Sequence, residues 1–125
     1  MKDGLREIND LTGVLGSLIC NNQGEVMMNA TPPGLNKSAL ENITHHIIEL
    51  ISTAGDQIEN LSETVLYYSQ KKLFIVDLEK AVLVVICTPS VDISLLRMIV
   101  NGVRMRWDGD VKVQKSLQKN FTERL

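Results

Sequence analysis

Aromatic residues and surplus positive charge are both scarce in this sequence. Phe, Trp and Tyr make up 4% of the 125 residues, and 13 basic residues stand against 15 acidic ones, for a net charge of −2. Proteins that bind nucleic acid hold the phosphates on a basic surface and stack unpaired bases on aromatic rings. The composition therefore excludes nucleic acid as a main partner. A chain of this length that is 44% hydrophobic is expected to form one globular domain.

Long apolar runs are missing too. No run approaches the roughly 18 residues that a membrane-spanning helix needs, and the first ten residues lack the apolar stretch of a signal peptide. We therefore expect a cytoplasmic protein without membrane insertion. In that reducing compartment Cys20 and Cys87 should be two free core thiols. Because each cysteine ends a predicted strand, the two could be neighbours in space.

Motifs for catalysis and cofactor binding are also absent. The chain has no GxxxxGK[ST] phosphate loop, no CxxC pair and no HExxH zinc motif, and its GVLGS segment is not a GxSxG nucleophile elbow. His45 and His46 are adjacent and would point about 100° apart on a helix, which suits one metal ion poorly. We expect no active site, no cofactor and no metal, and interpret the two histidines as surface or dimer-face residues.

What the sequence does contain is a dense block of strand-forming residues between positions 63 and 87. It reads ETVLYYS, KKLFIVDL and AVLVVIC, and the short polar breaks between the pieces predict an antiparallel meander. The third piece has no polar residue, so both of its faces must be buried, and only helices are available to cover them. This predicts three layers: helix, sheet, helix. The first piece is amphipathic and suits a sheet edge.

The rest of the chain is divided by hydrophobic periodicity and turn residues. Strands are predicted at residues 14–20 and 25–30, and helices at residues 3–11, 38–59 and 91–106.

These elements predict an α/β fold built as a single three-layer α/β/α domain over residues 1–110. Residues 14–20 and 81–87 are apolar on both faces, so these two strands should be central. The five-stranded antiparallel sheet then has the order 2-1-5-4-3, with the long helix on one face and two helices on the other. Residues 111–125 form a C-terminal tail that is either a weak amphipathic helix or disordered.

Three finer expectations concern packing. Ser38 and Glu41 fit a capping box at the start of the long helix. Gly102 lies inside a predicted helix, where only a close helix–sheet contact would justify its low helix propensity. The core stripe of the long helix is expected to be Leu40, Ile43, Ile47, Leu50, Ala54 and Ile58.

The pattern resembles the roadblock family, which includes the dynein light chain roadblock and the bacterial MglB-like regulators of small GTPases. The resemblance rests on GVLGS at residues 13–17, on GEV after the following turn, and on the LFIVDLEKAVLVVIC block beyond a long helix. It covers roughly residues 4–107 and leaves out the tail. It implies a homodimer that joins two five-stranded sheets edge to edge, and a role as a regulator or scaffold of a Ras-like small GTPase.

A second apolar stripe on the long helix is interpreted as a dimer or partner surface. It comprises Thr44, Ile48, Ile51 and Gly55 at spacings of 4, 3 and 4, with Ser52 nearby. A wide core-facing side of the helix would give the same pattern, and we favour the surface interpretation. Val65 and Tyr67, on the predicted edge strand, complete this surface.

The tail and the arginines give two further candidates for partner contact. Val113, Leu117 and Phe121 recur every fourth residue and would offer one apolar face to a partner. Arg97, Arg104 and Arg106 could act as arginine fingers, or they could form a solvated helix face. The second interpretation is favoured, because MglB-like proteins are thought to reorder the switch regions of a GTPase without inserting an arginine.

Three functions remain open from the sequence. The first is a homodimeric GTPase regulator, possibly one that stimulates GTP hydrolysis. The second is a structural adaptor of a motor or membrane-associated complex. The third is a small-ligand sensor, which needs a concave polar pocket that the sequence does not reveal.

Overall fold

A computed structural model describes the backbone of residues 1–55 and 63–123, and the surroundings of the side chains of residues 1–53 and 63–117. The elements are α1 (Lys2–Asn9), β1 (Val14–Cys20), β2 (Val26–Ala30), α2 (Lys37–Gly55), β3 (Glu63–Tyr68), β4 (Lys71–Asp77), β5 (Val82–Cys87), α3 (Ile93–Asp108) and α4 (Val111–Glu123). None of the helices within these ranges has the length and apolar character needed to cross a bilayer.

The five strands form one antiparallel sheet in the order β2-β1-β5-β4-β3, as predicted. β5 lies at the centre, where Val85 is paired with Ser17 of β1 on one side and Phe74 of β4 on the other. Residues 83–87 are all buried, because β5 has strands on both edges and helices over both faces. The prediction of a doubly buried central strand is confirmed.

Two apolar clusters fill the spaces above and below the sheet. Leu18, Leu73 and Ile86 pack with Leu40 and Ile47 of α2 on one face. The opposite face packs against α1, α3 and α4, through residues that include Leu5, Ile8, Phe74, Val85, Val100, Val103 and Trp107. Successive strand residues alternate between these clusters because side chains of a strand point to opposite faces. The three-layer architecture is therefore confirmed.

A buried polar contact fastens α1 to the sheet. The Ser17 hydroxyl is fully buried and lies 2.8 Å from Asn9 Oδ1, to which it donates. Asn9 Nδ2 in turn donates to the Ala30 carbonyl oxygen at 2.7 Å. The hydrogen-bonding groups of both side chains are thus used internally, which offsets the cost of removing them from water.

The N-cap of α2 differs from the prediction. Asn36, and not Ser38, caps α2: its Oδ1 accepts the Ala39 N–H at 2.8 Å. The side chain of Glu41 reaches outward to the Val26 N–H at 3.4 Å, so no capping box forms. At α3, Asp92 Oδ1 accepts the Leu95 N–H at 3.0 Å.

The first half of the tail, residues 111–117, packs on the domain. Asp110 caps α4 by accepting the Lys112 N–H at 2.9 Å, and Val113 and Leu117 are buried in the core cluster of the α1–α3 face, with Leu117 only 2% exposed. Gln114 is held at both ends of its amide, because Lys80 Nζ donates to its Oε1 and its Nε2 donates to the Trp107 carbonyl oxygen, each at 2.8 Å. The expectation of an outward apolar face on Val113 and Leu117 is thereby corrected. The side chain of Phe121 lies outside the described residues.

Gly102 does not make the predicted close contact. A β-carbon built there meets no described atom within 4 Å beyond the backbone of its own helix, and the residue is exposed. Gly4 is the glycine that lies at a helix crossing, since a β-carbon there would be 2.7 Å from both Trp107 Cζ2 and Val103 Cγ1.

Alanine should therefore have opposite effects at these two glycines. Gly102→Ala should raise the free energy of unfolding by up to about 1 kcal/mol through helix propensity. Gly4→Ala should lower it by about 1–2 kcal/mol, because α1 must move away from Trp107. Urea denaturation at an unchanged m-value measures both changes. A stabilised Gly4→Ala protein would contradict the packing of α1 on α3.

The two cysteines are free and buried, but they are not neighbours. Cys20 packs in the α2-side cluster, and Cys87 packs in the cluster on the opposite face. They also lie at opposite ends of the β1–β5 pair, because Cys20 is paired with Val82 and Cys87 with Val14. Because each cysteine ends a strand, both were expected in the core. That position does not indicate which face of the sheet, or which end of the β1–β5 pair, each cysteine occupies.

Both thiols should be inert in the folded protein. Burial raises the pKa of Cys20 to about 12. It raises the pKa of Cys87 to about 11, although the nearby charge of Lys72 acts in the opposite direction. At neutral pH neither forms the reactive thiolate. Ellman's reagent should react with neither thiol in native buffer and with both in denaturant. Rapid reaction of either thiol in the native protein would contradict its burial.

Candidate interaction surface

The outer edge of β3 carries no strand from the described residues. Of the strands in the described ranges, only β4 pairs with β3, in a register that places Tyr67 opposite Lys72 and Tyr68 opposite Lys71. An edge strand presents unpaired main-chain N–H and C=O groups, and it is a ready template for another strand. The predicted position of this strand at a sheet edge is confirmed.

Large apolar side chains are exposed beside this edge. Tyr67 is 75% exposed, Leu50 of α2 is 44% exposed and Tyr68 is 37% exposed. The Lys72 ammonium lies 5.5 Å from the centre of the Tyr67 ring, within the range of a cation–π contact. The His46 and Tyr68 rings are tilted, with their centres 6.2 Å apart. The rings are thus partly ordered within the monomer while their outer faces remain open to a partner.

A shallow apolar groove connects α2 with β3. Its volume is about 100 Å³, and Ile47 and Leu73 contribute buried walls to it. We define the edge surface as the residues at this groove that are exposed or half-buried: Ile43, His46, Leu50, Leu66, Tyr67 and Tyr68. Exposed apolar patches rimmed by polar residues mark interaction sites, and this concavity is smaller than the clefts that hold drug-sized ligands.

The beginning of β3 is tied to α3 by an ion pair. Arg97 Nη2 lies 2.6 Å from Glu63 Oε1, and Arg97 Nε donates to the same oxygen at 2.7 Å. The hydrogen bond and the charge of Glu63 raise the pKa of Arg97. Arg106 is paired with Glu7 of α1. Two of the three candidate arginines are therefore engaged within the domain.

The predicted stripe on α2 divides between core and surface. Thr44 is fully buried, and its hydroxyl donates to the Gly24 carbonyl oxygen. Gly24 has φ +83°, and a β-carbon there would lie 2.5 Å from His45 Cδ2, so the β1–β2 turn fits closely under the helix. Thr44 is an internal anchor of α2, and its assignment to the dimer surface is corrected.

The other predicted surface residues have mixed positions. Ile48 and Ile51 are half-buried against the α2-side core, and Ser52 is exposed. Val65 is half-buried against the opposite core, and Tyr67 is exposed. The side-chain surroundings of Gly55, Ala54 and Ile58 lie outside the described residues. Whether any of these residues contacts a partner stays a prediction.

Leu50 was wrongly placed in the core because the true inner stripe of α2 combines the two predicted ones. Leu40, Thr44 and Ile47 are buried and Ile51 is half-buried, at spacings of 4, 3 and 4. At about 100° per residue, Leu50 then lies roughly 90° from the centre of this stripe, on the side of β3. Thr44 is polar but can be buried in the core, because its hydroxyl donates a hydrogen bond to the Gly24 carbonyl oxygen.

For four edge-surface residues the sequence predicted no partner contact: Ile43, Leu50, Leu66 and Tyr68. His46 was interpreted only as a surface or dimer-face residue. A usable signal was present in the adjacent pair Tyr67-Tyr68. Neighbouring strand residues point to opposite faces, so two large rings at the end of an amphipathic edge strand extend the apolar surface toward both helix layers.

Comparison with known proteins is informative at the level of structure only. No protein-family model matches the sequence, and no curated protein matches it. Similar solved structures are found, and three of them illustrate the likeness. A Roadblock/LC7 domain from Streptomyces avermitilis has a TM-score of 0.72 at 13% identity, covering 87% of this chain and 95% of that one.

The gliding protein MglB from Thermus thermophilus has a TM-score of 0.69 at 14% identity, covering 98% of this chain and 88% of its own. An MglB structure with a tetrameric arrangement has a TM-score of 0.70 at 14% identity, covering 99% and 89%. At such low identity these likenesses show the fold. The chain has the roadblock fold, as its sequence pattern indicated.

Proposed function

We propose that this protein is a homodimeric regulator or scaffold of a Ras-like small GTPase. The observation that carries the proposal is the open β3 edge with Leu50, Tyr67 and Tyr68 exposed beside it. Two copies related by a two-fold axis would pair these edges into one continuous ten-stranded sheet, five strands from each copy.

Self-association accounts for the exposure of these side chains. In a two-fold interface each residue of the edge surface meets the same surface of the second copy. Leu50 and Tyr67 would therefore be buried in both copies. Tyrosine suits such a position because its ring is apolar and its hydroxyl can remain hydrated. The tetrameric arrangement of MglB, which shares the fold, supports self-association as a property of such domains.

The GTPase as partner rests on the likeness to MglB together with the resemblance stated for the sequence. The chain itself has no phosphate-binding loop motif. Because Arg97 and Arg106 are engaged with Glu63 and Glu7, we propose that it acts by binding a GTPase surface without an arginine finger. The protein would then work in the cytoplasm with its partner.

Capture of a GTPase from the same genome tests this function. Immobilised protein should retain a Ras-like GTPase loaded with a non-hydrolysable GTP analogue more strongly than the same GTPase loaded with GDP. Equal retention of both forms would favour the structural adaptor, and retention of neither would contradict the GTPase proposal. A GTP hydrolysis assay on the captured pair separates a stimulating regulator from a scaffold.

A further inference from the structure

A second cavity lies under the C-terminal half of α2, at the end of the sheet where β5 begins, and it shares no lining residue with the groove at the edge surface. Its volume is about 240 Å³. The walls are apolar: Ile48 and Ile51 come from the helix, and Ile75 and Val82 come from the sheet. This is more room than the roughly 150 Å³ that holds a benzene ring, and less than most drug-sized ligands need.

Five polar side chains line this cavity, from Asn22, Ser52, Thr64, Asp77 and Glu79. Asn22 is among the lining residues, and its Oδ1 is buried without a hydrogen-bond partner among the described atoms. Asp77 and Glu79 also line the cavity, and both are exposed, which places their carboxylates at its open side. A buried acceptor without a donor is unfavourable, and in native proteins it calls for a specific explanation.

Positive charge is missing from the described lining residues, which include no Lys, Arg or His. Asp77 Oδ1 accepts the Glu79 N–H at 2.7 Å, a contact that orders the turn without neutralising either carboxylate. The cavity thus combines an apolar interior, two anionic groups at the mouth and an acceptor that needs a donor.

We infer that this cavity, which we call the α2 cavity, binds a monovalent organic cation with a short apolar stem. A primary ammonium or a guanidinium supplies several N–H donors and one positive charge. Its alkyl stem would contact Ile48, Ile51 and Ile75, while its charged end would meet Asp77 and Glu79. A stem and head of about six non-hydrogen atoms fit the available volume. The inference does not depend on dimer formation or on a GTPase.

This chemistry has two sources, a free small amine and a lysine or arginine side chain of another protein. The cation and the stem are the same in both. They differ at the mouth of the cavity, where a protein side chain must leave room for its own backbone. Two probes therefore represent them: n-pentylammonium and a lysine capped as its N-acetyl methylamide.

Methyl NMR of the full chain measures binding directly. Titration with n-pentylammonium should shift the methyl signals of Ile48, Ile51 and Ile75 in a saturable way, with an affinity on the order of millimolar for so small a ligand. Ile8, Ile19 and Ile99 belong to the opposite core and should stay unchanged, as an internal control. The neutral isostere 1-pentanol and the anion pentanoate should each bind at least about tenfold more weakly.

Charge-removing variants test the role of the carboxylates. Asp77→Asn with Glu79→Gln keeps the hydrogen-bonding capacity at residue 77 and should weaken pentylammonium binding about tenfold. Asp10→Asn with Glu49→Gln removes the same charge from two exposed positions outside the cavity lining and should leave binding unchanged.

The outcomes separate clearly. Equal binding of pentanol and pentylammonium, or unchanged binding in the Asp77/Glu79 variant, would overturn the cation site in favour of a plain apolar cavity. No saturable shift with any probe would overturn it entirely. Binding of the capped lysine together with pentylammonium supports the site and assigns it to a protein side chain, whereas binding of pentylammonium alone supports the site and assigns it to a free amine.

Discussion

Leu117→Asp should lower the free energy of unfolding by about 4 kcal/mol, a large part of the stability of a domain of this size. Leu117 is 2% exposed and lies in the same core cluster as Val103 and Trp107. The substitution removes a buried leucine and leaves a carboxylate in an apolar site without a partner. Urea denaturation followed by circular dichroism measures the loss.

The control for this prediction lies on the other side of the same helix. Lys115 is exposed, so Lys115→Asp introduces the same side chain into α4 without entering the core. It should change the free energy of unfolding by less than about 1 kcal/mol. Similar, small effects of both variants would show that α4 is not part of the folded core, and would restore the tail as a separate segment.

Leu50→Asp combined with Tyr67→Asp should weaken self-association by at least about 100-fold while the monomer stays folded. Each change removes an apolar contact at the centre of the proposed interface and brings like charges together across the two-fold axis. Both side chains are well exposed in the monomer, so the fold does not depend on them. Sedimentation velocity measures the association, and circular dichroism verifies the fold.

A matched control is available on α3. Met98 is 69% exposed and Met105 is 74% exposed, and neither lines the groove at the edge surface. Met98→Asp with Met105→Asp therefore introduces the same two charges in place of two exposed apolar side chains. It should leave self-association unchanged. Loss of association in this control, with retention in the Leu50/Tyr67 variant, would move the interface to α3.

The sheet could be predicted from the sequence because its signals are local and consistent. A strand without polar residues, such as β5, has to be buried on both faces, and short breaks at residues 69–70 and 78–81 restrict the meander to neighbouring strands. Those two constraints fix β5 near the centre and β3 at an edge. Because β1 is also apolar on both faces, it must lie beside β5 in the middle of the sheet, and this gives the order β2-β1-β5-β4-β3.

The orientation of α2 could not be predicted from periodicity, because apolar residues occupy about half of its circumference. Which of them faces the sheet is decided by a contact between Thr44 and Gly24, which are 20 residues apart. The position of α4 has a similar cause. An isolated helix of its length is marginal in water, and what holds it is non-local: Lys80 and Trp107 bind Gln114, and the core accepts Leu117.

The mass of the wild-type protein in solution tests the central proposal most directly, since the interface on β3 and α2 requires two copies. Light scattering at micromolar concentration should give 28.0 kDa, which is twice the chain mass of 14.0 kDa. A stable 14.0 kDa species across the micromolar range would contradict the account, because the open β3 edge would then be left unpaired in the working form of the protein.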